Sequence, residues 1–570
     1  MNYRKTLFLI VLVGIVGGVA VWDHFQGTPT TDRVQHRKRL LNLDAKQVSH
    51  FELVHSNQTI VLEKTGTHWD IKQPIAVRAD FAAVSSTLDG LEFAERSRTL
   101  TEQDLQGANL AGFGLEPPRA SIRLQTKSGP VTLLIGNETP TKNALYVQVA
   151  GRREVCLAPV TLYERATPRL NALRSRTAME FTPATVTRLE IKIGGGRVIE
   201  LKKTEARWTI AQPLAVRADQ DKISEFLNGL TGLQVQDFIS EDPKDLHSFH
   251  LDEPDREITV LMGEVGQTLL LGRSPTNAAG QVYAKLKNAD SIFTIDGAAA
   301  KKFAVQINDL RDPQVLAVAP ASVKSIAIER GANRLTLQHD SQGWQITAPL
   351  SVPAEESAVQ QWLAELIGVR AKRFVADVTT DPQQYGLTQP SAVVTLAGTG
   401  TNQLAQLIIG SVDGSNALRF VKCAGEEFIY GVPTDLLNRL PASYSALRSR
   451  QVFDFKADQI TKLVAGPVTV AREHGRWKLV APAQGVLNVD AVNAAAAMLA
   501  RLQADSFGPA KGADEDGRNA TITATLGTAT HWVAVATNGQ ATASSAELTF
   551  QLPAPAVATL LKPWLTSPTP

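Results

Sequence analysis

Cysteine is almost missing from this chain. Its 570 residues hold two, Cys156 and Cys423. That excludes a fold stapled by a disulfide framework. Neither has a His or Cys partner at metal-ligand spacing, so both read as buried thiols that pack as small hydrophobes. Charge of one sign is scarce as well. The formal net charge is +2, and no long basic run interleaves with aromatics, which argues against nucleic acid as a partner. There is no phosphate-cradling Gly-rich loop, no zincin motif and no nucleophile elbow. Serines, histidines and acids are plentiful but fall in no recurring triad. Long apolar runs are confined to the amino terminus.

What is present is repetition. Trp, any residue, an aliphatic residue, two more residues and Pro occur together four times: Trp69 to Pro74, Trp208 to Pro213, Trp344 to Pro349 and Trp477 to Pro482. Successive tryptophans are 139, 136 and 133 residues apart. Further landmarks keep the same register in the first three copies. An aromatic, Gly or His, then Leu-x-x-Pro appears at Phe113–Pro118, Phe249–Pro254 and Tyr385–Pro390. An aliphatic-Gly pair follows (Ile135-Gly136, Leu271-Gly272, Ile409-Gly410), then Asn143, Asn277 and Asn416, then Tyr146, Tyr283 and Phe420. Each copy closes on Leu173-Arg174-Ser175, Leu310-Arg311-Asp312 or Leu447-Arg448-Ser449. The fourth copy keeps the Trp/Pro element and Leu526-Gly527 but loses Leu-x-x-Pro, and the chain is expected to end where Leu-Arg would fall. The period far exceeds that of solenoid repeats. Each copy is long enough to bury its own core.

The expected organisation is a membrane anchor over residues 1–25, a tether over 26–39, repeat domains over 40–178, 179–313 and 314–450, and a degenerate, truncated fourth over 451–570. Leu7 to Trp22 is an unbroken apolar run after Arg4 and Lys5. At about 1.5 Å per residue it reaches about 24 Å, slightly short of a hydrocarbon core of about 30 Å. An uncleaved signal anchor is the favoured reading over a cleaved signal peptide at Gly18-Val19-Ala20, because the apolar run continues past that site. The bulk of the chain is then expected outside the cytoplasm, on an inner-membrane anchor that crosses once.

Within a copy, short alternating runs precede the Trp, as in Val186–Ile193 and Arg197–Leu201 around three glycines. The Trp segment is a third strand, ended by its Pro. Six residues after that Pro stands Asp80, Asp219 or Glu355, and eight after it Asp490. An acid there caps a helix start and suits its dipole. Helical spacing follows, as in Ile223, Phe226, Leu227, Leu230 and Leu233. Strands resume after Leu-x-x-Pro, and a last helix spans roughly 161–173. The fold class is α+β: a tandem array of four domains of antiparallel β-hairpins with two packing helices each.

Candidate sites divide by recurrence. The four tryptophans and their prolines read as a folding signature, since a Trp inside an alternating strand is more often core than a stacking platform. Arg174, Arg311 and Arg448 fall at the copy junctions and read as an inter-domain brace. Arg78 and Arg217, in the repeated Ala-Val-Arg-Ala-Asp, give way to Pro353 in the third copy, so the helix-cap reading of the neighbouring acid prevails over anion binding. His247 and His250 stand near carboxylates, but His250 replaces Gly114 and Gly386 of the sister copies and reads as loop drift rather than a metal ligand. No catalytic, cofactor or metal residue is assigned.

The ordered set of Trp-x-aliphatic-x-x-Pro, helix, Gly-Leu-x-x-Pro, aliphatic-Gly and aromatic strand resembles a bacterial family described only as a domain of unknown function (four-three-four-zero in the usual numbering). The resemblance covers nearly all of residues 40 to 565 in four copies, the last partial. Members carry an N-terminal membrane segment and are often encoded beside an ABC transporter's ATPase and permease and a gliding-motility-type auxiliary protein. The resemblance therefore implies an envelope accessory of such a transporter, with its permease or auxiliary proteins as partners and no catalytic residue to carry over. Two alternatives stand beside it. One is an extracellular glycan or cell-wall binding array using aromatics such as Tyr146, Tyr283 and Phe420. The other is an envelope hydrolase with a single-copy site. The oligomeric state is left open.

Overall fold

A computed structural model describes residues 38–566, except 102, 106–108, 277–279, 401, 415–417, 511–519 and 547. The expected anchor, Leu7–Trp22, and the tether up to residue 37 lie outside the described residues. Among the described residues no helix is long and apolar enough to cross a membrane. The chain forms two compact units, one ending at Asp312 and the other starting at Pro313. Each holds two repeats, and the first three repeats share one sheet design.

In the first repeat β1 (His50–His55), β2 (Gln58–Thr65), β3 (His68–Gln73) and β4 (Val77–Arg78) form a meander. Alternation sets its buried face: Phe51 and Leu53 of β1 point inward with Ile60 and Leu62 of β2. Helix α1 (Phe81–Glu92) buries Val84, Leu88 and Leu91 along one stripe. It carries the chain from β4 to β5 (Arg98–Leu100), at the other edge of the same sheet. β6 (Ala120–Thr126) then pairs with β1, and β7 (Gly129–Glu138), β8 (Ala144–Val149) and β9 (Val155–Pro159) follow in turn. The strand order is β4-β3-β2-β1-β6-β7-β8-β9-β5. The second and third sheets repeat this nine-strand order, and every pairing is antiparallel.

In each of these three repeats the hairpins join in one sheet, because α1 crosses the face and places its following strand beside β9. One expectation needs correction: the last helix is not continuous. It breaks into α2 (Thr161–Ala166) and α3 (Leu170–Leu173), with Pro168 between them denying an N–H to the ladder.

The fourth repeat is less eroded than its sequence suggests. Its main sheet has eight strands, and Val486–Leu487 pairs instead with Leu565–Thr566. The Asn488 amide donates to the Trp564 carbonyl at 2.7 Å. In the other repeats the amides of Asp80, Asp219 and Glu355 donate in the same way to Leu173, Leu310 and Leu447. Trp564-Leu565 thus fills the slot of the Leu-Arg element that the sequence pattern does not show.

Candidate functional site

The four tryptophans sit inside the cores. Trp69, Trp208, Trp344 and Trp477 are 2, 6, 5 and 6 % exposed. Directly opposite each, on the neighbouring strand, is a basic residue: Lys64, Lys203, His339 and Arg472. The Lys64 and Lys203 ammonium groups lie 6.0 and 5.9 Å from the ring centroids, and the Arg472 guanidinium 4.7 Å. The His339 ring meets Trp344 edge-on at 5.2 Å. Three of the indoles therefore close the rim of a core beneath a cation, which is a favourable pairing in its own right. Peptide bonds before Pro74, Pro213, Pro349 and Pro482 are cis, and each strand ends at the residue before the proline.

The acid after the proline caps the helix in two copies only. Asp80 accepts from the Ala83 amide at 2.8 Å, and Asp219 from the Asp221 and Lys222 amides at 3.1 and 3.2 Å. Glu355 makes no such bond; its longer side chain accepts from Ser357 and Ser449. In the fourth copy the cap is Asn488, which accepts from the Ala491 amide at 3.1 Å, while Asp490 lies inside the first turn. Asn488 is six residues after Pro482, so the spacing holds and only the residue type changes.

The recurring loop landmarks explain one another. Gly114, His250 and Gly386 adopt left-handed backbone with φ of 65, 53 and 67°. A Cβ added at Gly136, Gly272 or Gly410 would run into the carbonyl oxygen of Phe113, Phe249 or Tyr385 respectively. The aliphatic-Gly pair is thus the seat on which the aromatic-Gly-Leu loop rests. The loop aromatic then meets the strand aromatic: Phe113–Tyr146, Phe249–Tyr283 and Tyr385–Phe420 have centroids 4.7, 5.0 and 5.1 Å apart. These rings are half-buried. Asn143 accepts from Thr139 and Thr141, whereas Asn277 and Asn416 lie outside the described residues.

Junction arginines form the most developed constellation. Arg174 is 4 % exposed. Its guanidinium lies 3.6 Å over the Phe238 ring, pairs with Glu241 and donates to Ser291 Oγ at 3.1 Å, all in the second repeat. Ser291 in turn donates to Glu241 at 2.5 Å. Arg448 stacks in the same manner, 3.7 Å over Phe507 of the fourth repeat. Arg311 is 3 % exposed and donates to Asn308 within its own repeat at 3.3 Å. The backbones of all three pair with the residue before the helix cap: Ala79, Ala218 and Ala354. Sequence reasoning missed the receiving aromatics, although a signal was there. Phe238 and Phe507 each stand 30 residues after their Trp. Thr99 holds that place in the first repeat.

Beside Arg174 a cleft of about 470 Å³ opens between the first two repeats, lined by Asp70, Lys72, Arg78, Glu180, Gln267 and Phe238 among others. Arg78 lies 3.7 Å from Asp70 and 3.6 Å from Glu180. Burial opposes ionisation of Asp70, but the Thr65 hydroxyl and the charges of Lys72 and Arg78 outweigh it and hold its carboxyl below the usual range. The cleft is therefore a charge-balanced joint.

The remaining candidates are local. His247 Nδ1 donates to Asp252 Oδ2 at 3.0 Å, with the His250 ring 6.1 Å away. No group of three or more His, Cys, Asp or Glu is placed to hold a metal among the described residues. Cys156 and Cys423 are buried and not disulfide-bonded.

The family model described as "Domain of unknown function (DUF4340)" matches residues 69–239, 208–345 and 344–520 in tandem. No curated protein matches the chain.

Proposed function

This chain belongs to the DUF4340 family of uncharacterised domains, and we propose that it serves as a non-catalytic, membrane-anchored accessory of an ABC-type transport system in the cell envelope. Its repeats form a braced scaffold that presents surfaces to the permease or to auxiliary envelope proteins. The observation that carries this reading is where the recurring residues go. The tryptophans fill cores, the glycines seat loops, the acids start helices, and Arg174 and Arg448 tie one repeat to the next. Repeated chemistry is spent on building and joining domains, as in a structural array rather than a set of active sites. The anchor rests on the apolar run Leu7–Trp22.

Affinity capture of the tagged full chain from native membranes tests the proposal. Co-purification of a transporter permease or ATPase is the expected result. Recovery of the chain from the soluble fraction, or from membranes with no transporter or envelope component, overturns it.

A further inference from the structure

The second repeat departs from its sisters at one place where two changes meet. β6 begins at Ala120, and its counterpart in the third repeat is Ala392; both are 1 % exposed. The second repeat has Arg256 at this register, beside Ile193 and Leu271, where Ala120 stands beside His55 and Ile135. Arg256 Nη1 donates to the Asp255 carbonyl at 2.8 Å. Its Nε is shielded from solvent and meets no acceptor among the described residues. An inward guanidinium with an unmet N–H is costly to keep, and an acceptor brought by a ligand would relieve it.

The second change removes a plug. In the first repeat Tyr163 lies with its ring 5.6 Å from His55 and 3.9 Å from the Arg119 guanidinium. It is the fourth residue after Pro159, the end of β9. The fourth residue after Pro433 in the third repeat is Leu437, which packs against that core. In the second repeat the fourth residue after Asp296 is Ala300. What results is a groove of about 710 Å³ whose walls include Ile193, Arg256, Leu271, Val282 and Ala300. Arg197 and Lys301 stand exposed at its rim. Of its two acids, Asp255 and Asp296, the latter is engaged in capping the Ala299 amide at 2.8 Å.

We propose that this groove binds a small aromatic carboxylate. Its ring takes the place that Tyr163 fills in the first repeat, and its carboxylate meets Arg256. The volume suits a small molecule, since ligand pockets run from about 300 to 1,000 Å³. A carboxylate matches the guanidinium fork better than a neutral group, and the rim cations favour an anion. The sister repeat supplies the case for a ring: the same space there holds a phenol between an imidazole and a guanidinium.

Isothermal calorimetry on the full chain with benzoate, phenylacetate and 4-hydroxybenzoate tests this. One saturable site for at least one of these acids is expected, with benzyl alcohol at least tenfold weaker. Two variants restore what the sister repeats carry, so both are compatible with the fold. Arg256→Ala removes the guanidinium, and Ala300→Leu refills the groove. Each is expected to weaken binding at least tenfold, with unchanged circular dichroism as the control. No saturable binding of any of the three acids, or undiminished binding by either variant, overturns the proposal. The outcome is independent of whether a transporter co-purifies.

Discussion

Replacing Arg174 by Ala should loosen the joint between the first two repeats while leaving both cores intact. The guanidinium is nearly enclosed, stacked 3.6 Å over Phe238 and paired with Glu241 and Ser291. Breaking a fully buried pair by removing one partner costs about 3–5 kcal/mol, because the other charge is stranded. Here the Glu241 side chain is 34 % exposed and can partly rehydrate, which lowers that figure. Loss of the stacking returns about 1–2 kcal/mol of it. A net weakening of about 2–4 kcal/mol follows, roughly thirtyfold to several hundredfold in a local opening constant. Because four repeats do not unfold in one step, a single melting midpoint is the wrong readout. Hydrogen exchange on the full chain isolates the effect. Amides of Val235–Ser240 should exchange faster by that factor, while those of Arg188–Ile193, in the middle of the second sheet, should not change. Adding Glu241→Gln should recover part of the loss by removing the stranded acid. Unchanged exchange in Val235–Ser240 would refute the brace, and equal acceleration in both strands would show that the substitution merely unfolds the repeat.

Three further outcomes follow from the same geometry. Ala at Gly136, Gly272 or Gly410 should destabilise its own repeat by about 1–3 kcal/mol, because the loop carbonyl must move; limited proteolysis should then cut the aromatic-Gly-Leu loop of that repeat first. Asp80→Ala, Asp219→Ala and Asn488→Ala should each cost about 1 kcal/mol in exchange protection of their helices, while Glu355→Ala, with no cap bond to lose, should cost much less. His247 should titrate above its ordinary value of 6.5, because Asp252 bonds to it and attracts its charged form. With the folded value raised, any stabilisation is full below about 6.5 and fades as pH rises through the folded value; proton NMR should show Asp252→Asn returning the titration toward 6.5.

The periodic residues made repeated sheet domains legible in the sequence, and their physical reasons differ in visibility. Trp69 and its sisters could be read as core from strand alternation alone. So could the inward face of the helix, from Ile223, Phe226, Leu227 and Leu230. Sheet closure could not, because nothing local in β5 says that it pairs with β9, some 57 residues away across Thr99 and Cys156. The capping acid was legible as a position and misread as a residue type. Asn488 does the work in the fourth repeat, and Glu355 is one methylene too long to do it in the third. The break at Pro168 was readable from composition alone, since a proline inside a helical run removes a ladder donor.

Recurrence and its failures carry different information. Phe238 and Phe507 each receive an arginine from the repeat before, and both stand 30 residues after a Trp. The first repeat follows no Leu-Arg element and carries Thr99 there, bonded to Cys156 rather than stacked under a guanidinium. Both phenylalanines also pack against the core of their own repeat. The Phe therefore serves the junction as well as the fold. Arg256 and Ala300 follow the opposite logic. They depart from both well-preserved sisters, and together they replace a corner filled by a side chain with an open groove that carries an inward guanidinium. A change that costs packing and adds an inward charge needs a compensating interaction, and the groove is where that interaction should be sought.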